Sequence, residues 1–62
     1  MRFVLEVDLT EPTLRADPHA ELGRILRYWA GNLHHYPLEP GTQETLTDSA
    51  HHPVGTWSYR LT

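Results

Sequence analysis

The sequence predicts an α+β fold in which a three-stranded sheet carries one helix on one face, in the order β-α-β-β. Three observations predict it: alternation of apolar and polar residues over 2–9, an apolar stripe at three- and four-residue steps within 18–34, and two further alternating runs at 43–48 and 54–61 separated by a turn-sized break. The length of 62 residues leaves room for a single small domain, residues 1–62, with one core.

In the first strand Phe3, Leu5, Val7 and Leu9 point to one side, while Arg2, Glu6 and Asp8 point to the other with Val4 among them. Period two with aromatic and β-branched members is the pattern of a half-buried strand. Residues 10–16, which include Pro12, read as a connection. Asp17-Pro18 then reads as a helix start, with Asp at the N-cap and Pro at the first helical position. Leu22, Ile25, Leu26, Trp29 and Leu33 form the apolar stripe, and Glu21 stands three residues before Arg24, within pairing distance. Gly31-Asn32 weakens the last turns and Pro37 forbids continuation, which places the helix at about 18–34.

Residues 35–42 hold two Pro and one Gly and read as a loop. In 43–48 Thr45 and Thr47 lie on one side and Leu46 on the other. In 54–61 Trp57, Tyr59 and Leu61 oppose Thr56, Ser58 and Arg60. The short break at 49–53 predicts a hairpin. A 17-residue helix spans about 25 Å and an eight-residue strand about 26 Å, so one helix covers one face of the sheet. The expected core is Phe3, Leu5, Val7, Leu9, Leu22, Ile25, Leu26, Trp29, Leu33, Leu46, Trp57, Tyr59 and Leu61. The face left uncovered carries Arg2, Val4, Glu6, Asp8, Thr45, Thr47, Thr56, Ser58 and Arg60.

Composition removes several function classes. A hydrophobic share of 39% with 10% aromatics is too apolar for a disordered tail. No run approaches the roughly 18 apolar residues of a membrane span, and the charged positions of Arg2, Glu6 and Asp8 argue against a signal peptide. A cytoplasmic, membrane-free protein is expected. The lack of Cys excludes disulfides, thiolate zinc sites and cysteine nucleophiles. A net charge of −3 argues against direct nucleic-acid binding. A chain this short, without metal or disulfide, often completes its core with a partner or a second copy.

Four features together carry a resemblance: the alternating N-terminal strand, Ala20-Glu21-Leu22-Gly23-Arg24-Ile25-Leu26-Arg27, Leu46-Thr47-Asp48, and the closing Val54-Gly55-Thr56-Trp57. The chain resembles a group of short uncharacterised β-α-β-β proteins common in actinobacteria, their phages and integrated mobile elements. It departs from that group at His51-His52-Pro53, where an Asn-Gly turn is usual, and in the Pro-containing segment 35–42. The resemblance implies a fold and a phage or mobile-element origin rather than a chemistry. The five Arg and no Lys fit a GC-rich genome.

Two histidine pairs, His34-His35 and His51-His52, are the candidate metal ligands, with Glu39 or Asp48 as possible helpers. Adjacent histidines usually point apart, and no ligand-spaced motif anchors them, so no cofactor is expected. The plain alternative is solvent-facing loop residues, with His34 or His35 favourably placed at a helix C-terminus. Glu6 and Asp8 form a carboxylate pair, but on an open strand face with Arg60 as the expected cross-strand partner. No Ser or Thr stands in a nucleophile motif and no glycine-rich loop cradles phosphate.

Arg24, Arg27 and Tyr28 make a small basic-aromatic patch, and Tyr36 has no evident structural role. These four, with Arg2, Val4, Glu6 and Arg60 of the open face, are the expected partner contacts. The sequence thus points to a non-enzymatic small interaction protein that binds a protein partner or itself as a homo-oligomer, with no hollow for a substrate. Two alternatives stand beside it: an acidic inhibitor of a nucleic-acid-binding defence enzyme, and a histidine-mediated metal-binding protein.

Overall fold

Six elements follow from the chain in order. A computed structural model describes Met1–Thr62, with β1 at Arg2–Val7, α1 at Pro12–Ala16, α2 at Pro18–Ala30, a 3-10 turn at Leu33–His35, β2 at Gln43–Thr47 and β3 at Pro53–Arg60. The main helix, α2, lies on one face of a three-stranded antiparallel sheet of order β1-β3-β2. The α+β class and the β-α-β-β order are therefore as the sequence predicts. β3 is the central strand, and β1 and β2 are the edges.

The register matches the predicted faces. Phe3, Leu5 and Val7 stand opposite Tyr59, Trp57 and Gly55 on the helix side. Leu46 opposes Gly55 on that side too, but the ladder then steps to Thr47 opposite Pro53, leaving Val54 as an extra residue. Such a bulge puts two residues against one and bends its strand. Val54 thereby joins the core, only 3% exposed, although strict alternation assigns it to the other face.

Trp57, fully buried, is the centre of the core. Its ring meets Phe3 at 5.8 Å, Trp29 at 5.4 Å, Tyr36 at 5.3 Å and Tyr59 at 5.5 Å. Leu14, Ile25, Trp29, Leu46 and Val54 complete the buried set, with Leu5, Val7, Leu22, Leu33, Tyr36 and Tyr59 packed against it. Four expected core residues lie outside. Leu9 and Leu61 fall beyond the ends of their strands. Phe3 and Leu26 sit on the flank of a sheet too narrow to be covered across its whole width.

The segment 10–16, expected to be a plain connection, contains α1, and its Leu14 is fully buried. Pro12 there starts a helix at its first turn, where a missing N–H costs nothing. Asp17 caps α2 as expected, its side chain accepting from the Ala20 N–H at 3.3 Å. The helix ends at Ala30 rather than 34: Gly31 is the C-cap, and Asn32 Nδ2 donates to the Tyr28 carbonyl at 2.6 Å. Leu33 therefore contributes from the 3-10 turn.

The predicted hairpin between β2 and β3 closes through the Asp48 N–H donating to the His52 carbonyl at 2.9 Å and the His51 N–H donating to the Asp48 carbonyl at 3.0 Å. His51 has a φ of 64°, the left-handed region that Gly or Asn normally fills at this point of a turn. Replacing His51→Gly is expected to stabilise the domain by about 1 kcal/mol, read by thermal unfolding. A destabilised variant would show that the imidazole makes contacts that outweigh the backbone strain.

On the open face Arg60 lies along the sheet, donating from Nε to Ser58 Oγ at 2.9 Å and from Nη2 to Glu6 Oε1 at 3.3 Å. Ser58, expected to be uncovered, is 6% exposed, because Arg60 covers it and Val4 and Gln43 flank it on the neighbouring strands.

Candidate protein-interaction groove

Residues four apart on a helix share a flank, and on α2 this places Arg24 beside Tyr28, turned toward the outer edge of β2. Two contacts fix that orientation. The Ser49 N–H donates to Glu21 Oε1 at 2.9 Å, and Arg24 Nη2 donates to the Thr47 carbonyl. Between helix and strand lies a groove of about 540 Å³. Its helix wall is Arg24, Tyr28 and Trp29; its strand wall is Glu44, Thr45 and Thr47. Tyr36 and His51 also line it. The sequence leads to the expectation of a packed core with no hollow. That expectation is corrected here: α2 sits off β2 far enough to leave a cleft along the strand edge.

The backbone of that edge follows from the ladder. Tyr59 N–H donates to the Thr42 carbonyl and Asp48 N–H to the His52 carbonyl, both at 2.9 Å. Antiparallel strands alternate their bonding direction, so residues 42, 44, 46 and 48 bond toward β3. Gln43, Thr45 and Thr47 then direct their N–H and C=O groups outward. Arg24 takes the Thr47 carbonyl, while no loop or side chain bonds to the outward groups of Gln43 and Thr45.

The side chains of the groove are held and charged unevenly. Tyr36 is fixed against Trp57 and Trp29, ring centroids 5.3 and 5.7 Å away, and Tyr28 meets Trp29 edge-on at 5.1 Å. Burial, reinforced by the Glu44 carboxylate, pushes the Tyr36 hydroxyl above its ordinary value of 10.0, so it is a neutral donor at pH 7. Arg24 has Glu21 at 3.9 Å, and its buried Nε has no partner. Glu44 faces the core side of an edge strand and takes part in no ion pair.

Of the expected partner contacts, the structure brings Arg24, Tyr28 and Tyr36 together in this groove. Arg27 lies outside it, its guanidinium over Gly23. Arg2, Val4, Glu6 and Arg60 occupy the opposite side of the sheet, where Glu6 and Arg60 pair as expected. The rings of His34 and His35 lie 4.0 Å apart just after the C-terminus of α2, whereas His51 and His52 sit at the hairpin beside its N-terminus. A 13-residue helix of about 20 Å separates the two pairs, so they cannot share an ion, and no three ligating groups converge anywhere in the fold.

Several acids serve internal contacts. Asp48 is buried under the hairpin, Asp17 caps α2, and Asp8 accepts from the Thr10 N–H at 2.9 Å and hydroxyl at 2.6 Å. Among the groove residues that sequence reasoning did not assign to a partner site are Glu44, Thr45, Thr47, Trp29 and His51. A signal for Glu44 was present: its parity matches Leu46, so the strand carries a charge on its inward side. No helix is long and apolar enough to cross a membrane. Compared with known proteins, the chain matches no family model, no curated protein and no solved structure.

Proposed function

We propose that this chain is a non-enzymatic interaction protein that captures an extended segment of a partner protein by strand addition to β2, within the groove beside α2. The observation that carries this reading is the pair of outward, unbonded residues Gln43 and Thr45 along one wall of a groove that has aromatic side chains on the other. An extended segment satisfies such an edge through its own main chain, and pockets for alternate side chains select it. Tyr28 and Tyr36 offer the apolar contact. Glu44, an acid without a counter-charge, favours a segment with Lys or Arg at the facing position.

Action without chemical turnover is part of the same proposal. The two carboxyls with clear shifts, Asp8 and Asp48, are moved down, away from the neutral range where a general acid works. A phage or mobile-element origin belongs to the proposal as well, and the identity of neighbouring genes tests it.

Selecting binders from a displayed random-peptide library, then titrating the best peptide by NMR, tests the site directly. The expected peptides are extended and basic, and they move the amides of Gln43–Thr47, Tyr28 and Tyr36. Thr45→Pro removes an outward N–H and no ladder bond, a position where edge strands tolerate proline. It is expected to weaken binding roughly tenfold with the melting temperature retained. A peptide that binds the proline variant equally well, or a library that yields no binder, overturns the reading.

A further inference from the structure

The second edge of the sheet also has free outward groups, but it lacks the guards of the first. The Asp8 N–H donates to the Val54 carbonyl at 2.8 Å, which sets the alternation of β1. Residues 2, 4, 6 and 8 bond toward β3, and Phe3, Leu5 and Val7 present their N–H and C=O groups outward. No other hydrogen bond of the molecule reaches these groups. The β2 edge is guarded by the inward charge of Glu44 and by Arg24 on Thr47, both devices that discourage indiscriminate pairing. β1 has no Pro, no inward charge and no extra residue of its own.

Exposed apolar side chains gather on the same side. Phe3 is 45% exposed, and Met1 and Leu61 at the same end of the sheet are 56% and 73% exposed. Leu26, 53% exposed, lies on the flank of α2 away from Arg24 and Tyr28 by helical geometry, and so toward β1.

We propose that β1 is a self-association edge, pairing antiparallel with β1 of a second copy about a two-fold axis at Leu5. The residues of the strand are complementary to themselves in that register. Phe3 faces Val7 of the second copy and Leu5 faces its own equivalent on the helix side, so the apolar row is continuous. On the open side Arg2 faces Asp8 of the second copy and Asp8 faces its Arg2, with Val4 opposite Glu6 between them. All three outward residues find bonding partners.

Neighbouring registers use less of the strand or oppose like charges. Moving the axis to Glu6 sets Glu6 against Glu6. Moving it to Val4 also sets Arg2 against an acid, Glu6, but leaves Val7 opposite Met1, outside the strand, and Asp8 without an arginine. A slip by one residue puts the apolar row of one copy on the polar face of the other. The result is a closed, isologous dimer with one six-stranded sheet of order β2-β3-β1-β1-β3-β2. Both grooves remain free at its outer ends, so a partner with two matching segments would be held bivalently.

Sedimentation equilibrium of the full chain between about 1 μM and about 1 mM spans the relevant affinities. A reversible monomer–dimer equilibrium is expected. Arg2→Glu and Asp8→Lys, each alone, are expected to weaken it by roughly tenfold, and the double variant to return to within roughly threefold of the native chain. Circular dichroism confirms that each variant is folded. Amide exchange on the native chain is an independent readout: Phe3, Leu5 and Val7 should exchange more slowly as concentration rises, and Thr45 should not. A chain that stays monomeric throughout overturns the proposal. So does a dimer that the charge exchange does not restore, or one in which those three amides gain no protection. Thr45→Pro is expected to leave the dimer intact, which separates this outcome from that of the peptide groove.

Discussion

Replacing Gly55→Ala is expected to cost most of the stability of this domain. Gly55 sits at the bulge in the central strand, opposite both Val7 and Leu46. A Cβ built there overlaps the carbonyl oxygen of Glu6 and lies 3.0 Å from the Cα of Val7. Both obstacles are backbone, so no rotamer change relieves them, and β1 must move away from β3. A domain of 62 residues has a total stability of about 3–9 kcal/mol, and the β1–β3 ladder is half of its sheet. The alanine variant should melt at least about 15 °C lower, or show no folded spectrum. Gly23→Ala is the matching control. Its Cβ meets only the end of the Arg27 side chain, Nη1 at 3.0 Å, which can swing into solvent. That variant should gain about 0.5–1 kcal/mol through helix propensity. A Gly55→Ala protein melting within about 2 °C of the native chain would show that the strands do not approach so closely.

What could be read from the residues in this chain is what depends on neighbours in sequence. The cap at Asp17-Pro18, the alternation of β1 and of β3 from Gly55 on, and the turn before β3 are local chemistry, and each forms within two residues of where it was expected. Val54 shows where alternation stops being a guide: one extra residue in β3 turns a side chain inward that strict period two sends outward. Leu14 shows another limit, since five residues are too few to display a helical period, and Pro12 looks the same in a break and in a first turn. Leu26 and Leu61 carry a different lesson. Periodicity tells which way a side chain points, not whether anything stands over it.

The groove was hidden for a reason of the same kind. Whether β2 is an edge depends on strand order, and the gap beside it depends on the lateral placement of α2; neither is a property of a short window. Arg24, Tyr28 and Tyr36 could still be singled out because they were large or charged groups with no evident structural task. Glu44 could have joined them, since a carboxylate in step with Leu46 has no place in a closed core.

Asp48 carries the second large expectation, because three donors from two segments meet on its carboxylate. One oxygen accepts from the Ala50 N–H at 2.9 Å and the His52 N–H at 2.8 Å, which shapes the hairpin. The other accepts from the Thr13 hydroxyl at 2.7 Å and so ties α1, with its buried Leu14, to that hairpin. The His52 N–H and the Thr13 hydroxyl are the main reasons its pKa lies below the ordinary 3.8. Folding therefore favours the ionised form. The stabilisation is complete above the unfolded value and disappears as pH falls through the lower folded one.

Asp48→Ala leaves three donors without an acceptor and should lower the melting temperature by roughly 10 °C or more at pH 7. Asp48→Asn keeps one oxygen for Ala50 and His52 but turns a donor toward Thr13, which must then accept. It should be less stable than the native chain at pH 7 and lose less on acidification below about pH 4. Asp8 also has a lowered pKa, but its partners lie in Thr10 alone. By the same linkage Asp8→Asn should remove its own share of the loss in acid, while leaving the tie between α1 and the hairpin intact. Thermal melts from neutral pH into the acid range compare the three. An Asp48→Asn protein with the full native loss of stability in acid would mean that the tie between α1 and the hairpin does not depend on the charge at this position. The coupling would then have to come from Leu14 packing, which acid leaves intact.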